Sequence, residues 1–209
     1  MSTENTPRVR PRTALKRAAI LSAAHDLFLA DGYERTSVDS ISARADVSKR
    51  TVYDHFGDKE SLFSAVVTAA TESLLATIKV AIDEELADDH DLDQALLGFA
   101  RRIATDTFSS SDYAVLRKLR AGEGPRLPVS GSPQAAPETM LVERFETFAR
   151  TGRIQTTNPR RATEHFIALT FLLALNSKDL DSSGAFDSTA VDRILIDGVD
   201  AFMRAYAPR

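Results

Sequence analysis

Hydrophobic residues recur at intervals of three and four along most of the chain, which is the spacing expected of amphipathic helices. The pattern predicts long helices over residues 13–31, 58–85 and 188–206. Shorter helices are predicted around them, with Gly, Pro, Ser, Asp or Asn at most of their ends and with Asp91 and Asn158 as two of the predicted N-caps. These shorter helices cover residues 36–45, 49–56, 91–103, 111–121, 137–151 and 158–175. The sequence therefore predicts an all-α protein.

Residues 36–56 are predicted to form two short helices joined by a tight turn. Thr36 is the predicted N-cap of the first helix, because its hydroxyl can accept a hydrogen bond from the amide of Asp39. Ser48 is the predicted N-cap of the second helix. A helix, a turn and a second helix can be a packing motif only, so the outer face of the second helix decides its interpretation.

The second of these helices has an outer face rich in hydrogen-bond donors. Val52 and Phe56 lie four residues apart and are predicted to face inward, while Gly57 ends the helix and Asp58 caps the next one. The side chains left to point outward are Lys49, Arg50, Thr51, Tyr53 and His55. Donors of these types bind phosphates and base edges, so the face is predicted to contact DNA.

Over this stretch the chain resembles the helix-turn-helix of the tetracycline-repressor (TetR) family of bacterial one-component regulators. The resemblance begins with the run from Lys16 to Gly32 and Tyr33. It continues through Thr36, Ser37, Val38, Ile41, Ala45, Val47, Ser48, Thr51, Val52, Tyr53, Phe56, Lys59, Leu62 and Phe63. Asp46 stands where the family usually has Gly, and we expect it to keep the turn because Asp tolerates the left-handed conformation. His55 stands where an aromatic residue, usually Tyr, is common.

The resemblance implies an N-terminal three-helix domain with a helix-turn-helix at residues 13–60 and a C-terminal helical domain at residues 61–209 for ligand binding and dimerisation. Residues 1–12 are then a flexible basic arm, either a solvated tail or a segment that follows the DNA minor groove. The positions implied to bind DNA are Thr36, Ser37, Arg44, Ser48, Lys49, Arg50, Thr51, Tyr53, His55 and Lys59. Residues 114–171 also look like the AefR-like subgroup of C-terminal domains.

Composition is consistent with a cytoplasmic DNA-binding protein. Apolar residues make up 43% of the chain and charged residues 27%, and the absence of Cys excludes disulfides and thiolate metal sites. The N-terminus lacks the apolar core of a signal peptide, and no stretch is expected to be long enough to span a bilayer. The net charge is −4, but five cations precede residue 18 against the single acid Glu4. The acidic excess is therefore expected in the C-terminal domain.

The C-terminal domain is expected to bind a small apolar or amphipathic effector and to dimerise. Its aromatic residues either fill an ordinary helical core or line a cavity with a few polar groups. The residues predicted to line such a cavity are Phe99, Tyr113, Leu116, Arg117, Phe145, Phe148, His165 and Thr170. The helix at 158–175 is apolar nearly all round, so we expect it to form a four-helix dimer bundle with the helix at 188–206 and the same pair from a second subunit.

Nothing in the sequence predicts catalysis, a metal site or a cofactor. No Gly-x-Ser-x-Gly, His-x-x-x-His or Walker pattern is present, and the acidic run at 87–93 lacks the glycine and closing glutamate of a calcium loop. Residues 122–136 form a Pro/Gly-rich loop that is either a lid or disordered. A homodimeric ligand-responsive repressor that binds a near-palindromic operator is the predicted function. The alternative is a helical small-molecule-binding or dimerisation protein without specific DNA binding, and an all-helical enzyme is the third candidate.

Overall fold

The computed structural model describes residues 11–120, 135–176 and 188–208, and within these ranges all regular structure is helical. Ten α-helices and two π-helical segments follow one another in those parts of the chain. They are α1 (Pro11–Arg35), α2 (Val38–Arg44), α3 (Lys49–Phe56), α4 (Lys59–Glu85), α5 (Leu92–Arg102), π1 (Ile103–Thr107), α6 (Ser111–Arg120), α7 (Ala135–Arg150), α8 (Pro159–Ile167), π2 (Ala168–Leu172), α9 (Leu173–Asn176) and α10 (Ser188–Tyr206). The predicted all-α class is confirmed. The predicted arm at 1–12 and loop at 122–136 fall mostly outside the described residues.

The contacts divide the described chain into two compact units. The first unit comprises α1, α2, α3, α4 up to Thr71 and α6 from Ala114. The second unit begins at Glu72 within α4 and takes in α5, π1 and all helices from α7 onward. The domain boundary predicted at residue 60 stays a prediction, but the contacts assign the start of α4 to the first unit.

The first unit packs around a small apolar core. Phe28 and Phe63 meet edge to face with their ring centroids 5.0 Å apart, and Tyr33 lies 5.0 Å from Phe63. The other buried apolar residues of this core are Ile20, Ala23, Ala24, Val38, Ile41, Val52, Leu62, Val66, Val67 and Val115. Gly32 breaks α1 with φ 80° and ψ 169°, so the chain turns towards α2 at the position where the sequence predicts the helix end.

The predicted N-caps are confirmed at four helix starts and wrong at one. Ser48, Asp58, Asp91 and Asn158 each accept a hydrogen bond from a backbone amide in the first turn of the helix that follows. The N-cap of α2 is Ser37 and not Thr36, since Ser37 and Ser40 form a reciprocal capping box.

The core of the second unit is built on a cluster of aromatic rings. Phe166 lies at its centre, with ring centroids 5.5 Å from Phe145, 5.5 Å from Phe202 and 5.8 Å from Phe171. We call Phe99, Phe145, Phe166, Phe171 and Phe202 the aromatic cluster. The sequence predicts helix 158–175 without an interruption, whereas the structure inserts π2, against which α10 packs.

Helix α4 corrects the expectation that no stretch could span a bilayer. Among the described residues one helix has the length and composition of a span: α4 has 27 residues, and its 18-residue window has a mean hydropathy of 1.6 with 33% of the window buried. The core helix of a water-soluble protein can have the same composition. Leu62 and Phe63 of α4 belong to the first core, and Ala81 and Ile82 to the second.

An ion pair joins α5 to α10 within the second unit and leads to a prediction about pH. Arg101 donates through Nε and Nη2 to the two carboxylate oxygens of Asp192, at 2.6 and 3.0 Å. The hydrogen bonds from Arg101 lower the pKa of Asp192 below its ordinary value. A lowered carboxylate pKa stabilises the folded state above the unfolded pKa, and this contribution is lost as pH falls through the folded pKa.

We therefore expect Asp192→Asn to destabilise the second unit at pH 7 by roughly 0.5–1 kcal/mol, a value already reduced for solvent screening because both side chains are partly exposed. The difference from wild type should shrink as pH falls below about 4. Urea denaturation at a series of pH values measures it, with Asp200→Asn as the control, since Asp200 pairs with Arg204 within one helix. A difference that stays constant down to about pH 2 would contradict the assignment.

Candidate nucleic-acid interface

The turn between α2 and α3 has the geometry that the sequence predicts. Asp46 has φ 52°, and within the described residues it is the one non-glycine residue whose φ is positive. Gly57 has φ 79° at the end of α3. Ser48 accepts from the amide of Thr51 at 3.1 Å, and the two hydroxyls lie 2.8 Å apart. The start of α3 is therefore fixed by its own cap.

Helix α3 presents the predicted donor side chains on its outer face. Val52 is buried in the first core, while the side chain of Arg50 is 90% exposed and Tyr53 is 43% exposed. His55 is half-buried, with its ring centroid 6.2 Å from that of Phe56. An exposed face of cations, a phenol and hydroxyls can donate to phosphates and base edges.

Thr36 is the predicted contact that the structure places inside. Its side chain is 2% exposed, and its hydroxyl donates to the carbonyl oxygens of Gly32 at 2.8 Å and Leu27 at 3.1 Å. Thr36 thus ties the α1–α2 connection to the end of α1. Ser37, by contrast, is exposed at the start of α2, where backbone amides and the helix dipole favour an anion.

Each cation of α2 and α3 lies beside a carboxylate that the sequence analysis did not assign to the site. Arg44 is 2.7 Å from Asp26, and its hydrogen bond lowers the pKa of that carboxyl. Lys49 is 2.9 Å from one carboxylate oxygen of Asp39, whose hydrogen bond raises the pKa of the Lys49 ammonium. Arg50 lies 3.9 Å from Asp54, one helical turn further along α3. Only this last pair has a sequence signal, the four-residue spacing, since the other two depend on how the helices pack.

Two further cations rest on aromatic rings of the first unit. The Lys59 ammonium lies 4.1 Å from the centroid of the Tyr33 ring, and the Arg17 guanidinium lies 5.1 Å from that of Phe56. Cation–π contacts hold long side chains in place while leaving their donors open to solvent. The side chains of Lys59 and Arg17 are therefore held in defined positions next to the helix-turn-helix.

The residues predicted to line a ligand cavity are divided between the two compact units, and their role in ligand binding stays a prediction. Phe99, Phe145 and Phe148 are at most 2% exposed and form core packing in the second unit. Leu116 packs against the core of the first unit. Arg117 belongs to the same unit.

The polar members of that prediction are engaged in contacts of their own. The ring of His165 is hydrogen-bonded to the hydroxyl of Tyr206 at 2.7 Å, and Thr170 donates to the carbonyl of Phe166 at 2.6 Å. Tyr113 packs on Phe108 with ring centroids 5.1 Å apart.

Two other features of the second unit were missed by sequence reasoning. A surface pocket of about 210 Å³ is lined by Ile82, Asp83, Leu86, Ala87, Asp88 and Arg144, none of which was a predicted ligand residue. The Thr107 hydroxyl in π1 is buried and makes no hydrogen bond within the described structure. Among the described residues no group of three or more His, Cys, Asp or Glu side chains is arranged to hold a metal ion.

The N-terminal part of the chain matches a known protein family. Residues 20–66 match the model of the family described as bacterial regulatory proteins, tetR family. The regulator TcmR of Streptomyces glaucescens is 38% identical over 80 residues, which are 38% of this chain and 35% of TcmR. The chain thus aligns with about a third of the length of curated relatives of this kind, which are named as transcriptional regulators.

Solved structures extend the likeness over nearly the whole chain. A protein described as a TetR-family transcriptional regulator from Mesorhizobium loti superposes with a TM-score of 0.82 at 26% identity, covering 95% of this chain and all of that one. The flavonoid-responsive regulator FrrA superposes with a TM-score of 0.64 at 27% identity, covering 94% and 99%. The likeness therefore includes the helical second unit as well as the helix-turn-helix.

Proposed function

We propose that this TetR-family protein is a transcriptional regulator that binds a near-palindromic operator as a homodimer, acts as a repressor and is released by a small apolar or amphipathic effector. The observation that carries the proposal is α3, a capped helix with a buried inner face and an outer face of exposed donors beside the α2 cap. Because operator DNA lies in the bacterial cytoplasm, we place the protein there.

The residues of the helix-turn-helix divide into two roles under this proposal. Lys49 and Arg50, at the start of α3, contact base edges and set sequence preference. The groups that hold phosphates and fix the register are Ser37, Arg44, Ser48, Thr51, Tyr53, His55 and Lys59. Thr36 supports this surface through the hydrogen bonds of its buried hydroxyl and contributes no side-chain donor to DNA.

Dimerisation through the last two long helices is supported by exposed apolar side chains in the second unit. Leu172 is 49% exposed, Leu173 is 53% exposed and Ile196 is 38% exposed. Large apolar residues left in water on neighbouring elements are typical of a surface that another protein covers. A two-fold dimer presents two copies of α3 to successive major grooves, about 34–36 Å apart on B-DNA.

We propose that the effector binds within the second unit. Thr107 supports this, since a buried hydroxyl without a partner is a polar group that a ligand can satisfy. FrrA is named as responsive to flavonoids, which are small aromatic molecules. The rings of the aromatic cluster are buried, and we propose that the effector binds a conformation in which they have separated. Such a shift changes the course of α4, which contributes residues to both cores, and weakens DNA binding.

We expect Arg50→Ala to reduce discrimination between operator and random DNA by about 1–3 kcal/mol, because it removes a base-reading group. Lys59→Ala should weaken binding to all duplexes alike and reduce the salt slope by about 1, because it removes a phosphate contact. The test is selection from genomic fragments by the purified full chain at about 150 mM salt, followed by titration of each variant on the recovered and a random duplex. Arg150→Ala, on the exposed face of α7, is the control.

Equal loss on both duplexes for Arg50→Ala would contradict the assigned role of that side chain. Recovery of no preferred sequence by a folded dimer would instead favour the alternative, a helical small-molecule-binding or dimerisation protein. Catalysis has no support in the named relatives, which are transcriptional regulators.

A further inference from the structure

Residues 36–59, which contain α2, the turn and α3, carry no net charge. Between residues 36 and 59 there are four cations and four acids. They are Arg44, Lys49, Arg50 and Lys59 against Asp39, Asp46, Asp54 and Asp58. Affinity for DNA of any sequence comes from neutralised phosphates, so a surface with this balance binds random DNA weakly. The acids therefore affect how strongly the cations attract phosphates.

Asp39 holds Lys49 more closely than Asp54 holds Arg50. The Lys49 ammonium lies 2.9 Å from Oδ1 and 3.1 Å from Oδ2 of Asp39, so it contacts both oxygens. The Arg50–Asp54 distance is 3.9 Å, at the limit of an ion pair. Asp39 lies in the first turn of α2, and its side chain is 71% exposed. The pair thus joins the start of α2 to the start of the predicted reading helix.

The Asp39 carboxylate affects which DNA groups can approach Lys49. A phosphate that approaches Lys49 also approaches the Asp39 carboxylate, so repulsion offsets part of the attraction. An ionised carboxylate can only accept hydrogen bonds. In the major groove the base-edge donors available to it are the amino groups of cytosine N4 and adenine N6. A base pair that offers such a group satisfies Asp39 and releases Lys49 to contact DNA.

We propose that Asp39 is a specificity-determining residue, which withholds Lys49 from phosphates on random DNA and accepts a hydrogen bond from a cytosine or adenine amino group in each operator half-site. The inference rests on the proposed DNA-binding function and names what one further side chain recognises. Stability is not the role of the pair, because exposed ion pairs contribute little to folding.

The test compares Asp39→Asn with wild type on random duplex and on the selected operator, between about 50 and 200 mM salt. Asp83→Asn is the matched control, because Asp83 pairs with Lys79 on α4 outside the helix-turn-helix and its loss changes net charge equally. We expect Asp39→Asn to bind random duplex about five-fold more tightly at 150 mM salt, with a slope steeper by about 0.9, as for one added phosphate contact. Asp83→Asn should match wild type.

On the operator, Asp39→Asn should gain nothing, so the ratio of operator to random affinity falls at least five-fold. Repeating the selection with Asp39→Ala, which leaves no acceptor at this position, should relax preference at one base pair of each half-site, a pair with cytosine or adenine facing α2. An equal rise on both duplexes, or a rise matched by Asp83→Asn, overturns the proposal. Asp54→Asn, whose pair is longer, should show a smaller rise.

The proposal and the proposed function can fail separately. A wild-type protein that selects no operator contradicts the function and removes the base-reading role of Asp39. The random-duplex titrations still decide whether Asp39 withholds Lys49, because they require no operator.

Discussion

Replacing Phe166 by alanine is expected to lower the free energy of unfolding of the second unit by about 3–5 kcal/mol. The side chain is fully buried at the centre of the aromatic cluster, within 5.5–5.8 Å, centroid to centroid, of three other rings. Truncation removes its apolar transfer energy and its edge-to-face contacts, and it leaves a cavity that helices from α5 to α10 cannot fill without moving. Urea denaturation followed by circular dichroism measures the loss.

The control for Phe166→Ala is Val80→Ala on the exposed side of α4. A partly exposed valine has little packing to lose, so this change should stay within about 0.5 kcal/mol of wild type. Phe166→Leu should fall between the two because it retains most of the volume. A loss below about 1 kcal/mol for Phe166→Ala would show that the cluster can collapse around the missing ring, against the packing described.

Gly198→Ala is expected to destabilise the second unit by about 1–3 kcal/mol or more, although alanine is the better helix former. Gly198 is buried where α10 crosses π2. A Cβ at this position would overlap the carbonyl oxygen of Leu169 and lie 2.8 Å from its carbonyl carbon. Both atoms belong to the backbone, so relief requires α10 to move away from π2. Urea denaturation should show a lower midpoint, with a shift that grows for Gly198→Val.

Gly98→Ala is the matched control in α5, another glycine inside a helix of the same unit. There a Cβ would meet the carboxylate end of Glu85 at 2.7 Å, a flexible side chain that can rotate away. Relief of the backbone entropy cost should make this variant equal to or more stable than wild type by up to about 1 kcal/mol. If both glycine variants change the free energy of unfolding equally, the close approach of α10 to π2 at Gly198 does not explain the loss of stability.

The ends of helices could be predicted from the sequence because capping is a local interaction. Ser48, Asp58 and Asn158 each cap the helix that follows within three residues. Thr36 shows the limit of that reasoning, since two adjacent hydroxyls can both cap α2. The choice depends on the carbonyls of Leu27 and Gly32, which a neighbouring turn brings to Thr36 and not to Ser37.

The parts of the site that sequence reasoning missed are those that depend on packing between helices. Lys49 and Asp39 are ten residues apart, and only the turn between α2 and α3 brings them together. Hydrophobic periodicity likewise identifies the inward face of a helix but not whether the space before it is filled. Phe99, Phe145 and Phe148 are buried in the core of the second unit, and whether they also line a cavity stays a prediction.

The positive φ of Asp46 sets a limit on how this turn can vary as the sequence diverges. Side chains with a branched Cβ clash with the backbone in the left-handed region, whereas Gly, Asn and Asp enter it at low cost. Replacement of Asp46 by Gly or Asn also removes one of the negative charges that balance the helix-turn-helix. Under the proposed function, exchange of this one residue therefore changes the attraction to DNA without altering either helix, so affinity for DNA can evolve independently of the face proposed to read the bases.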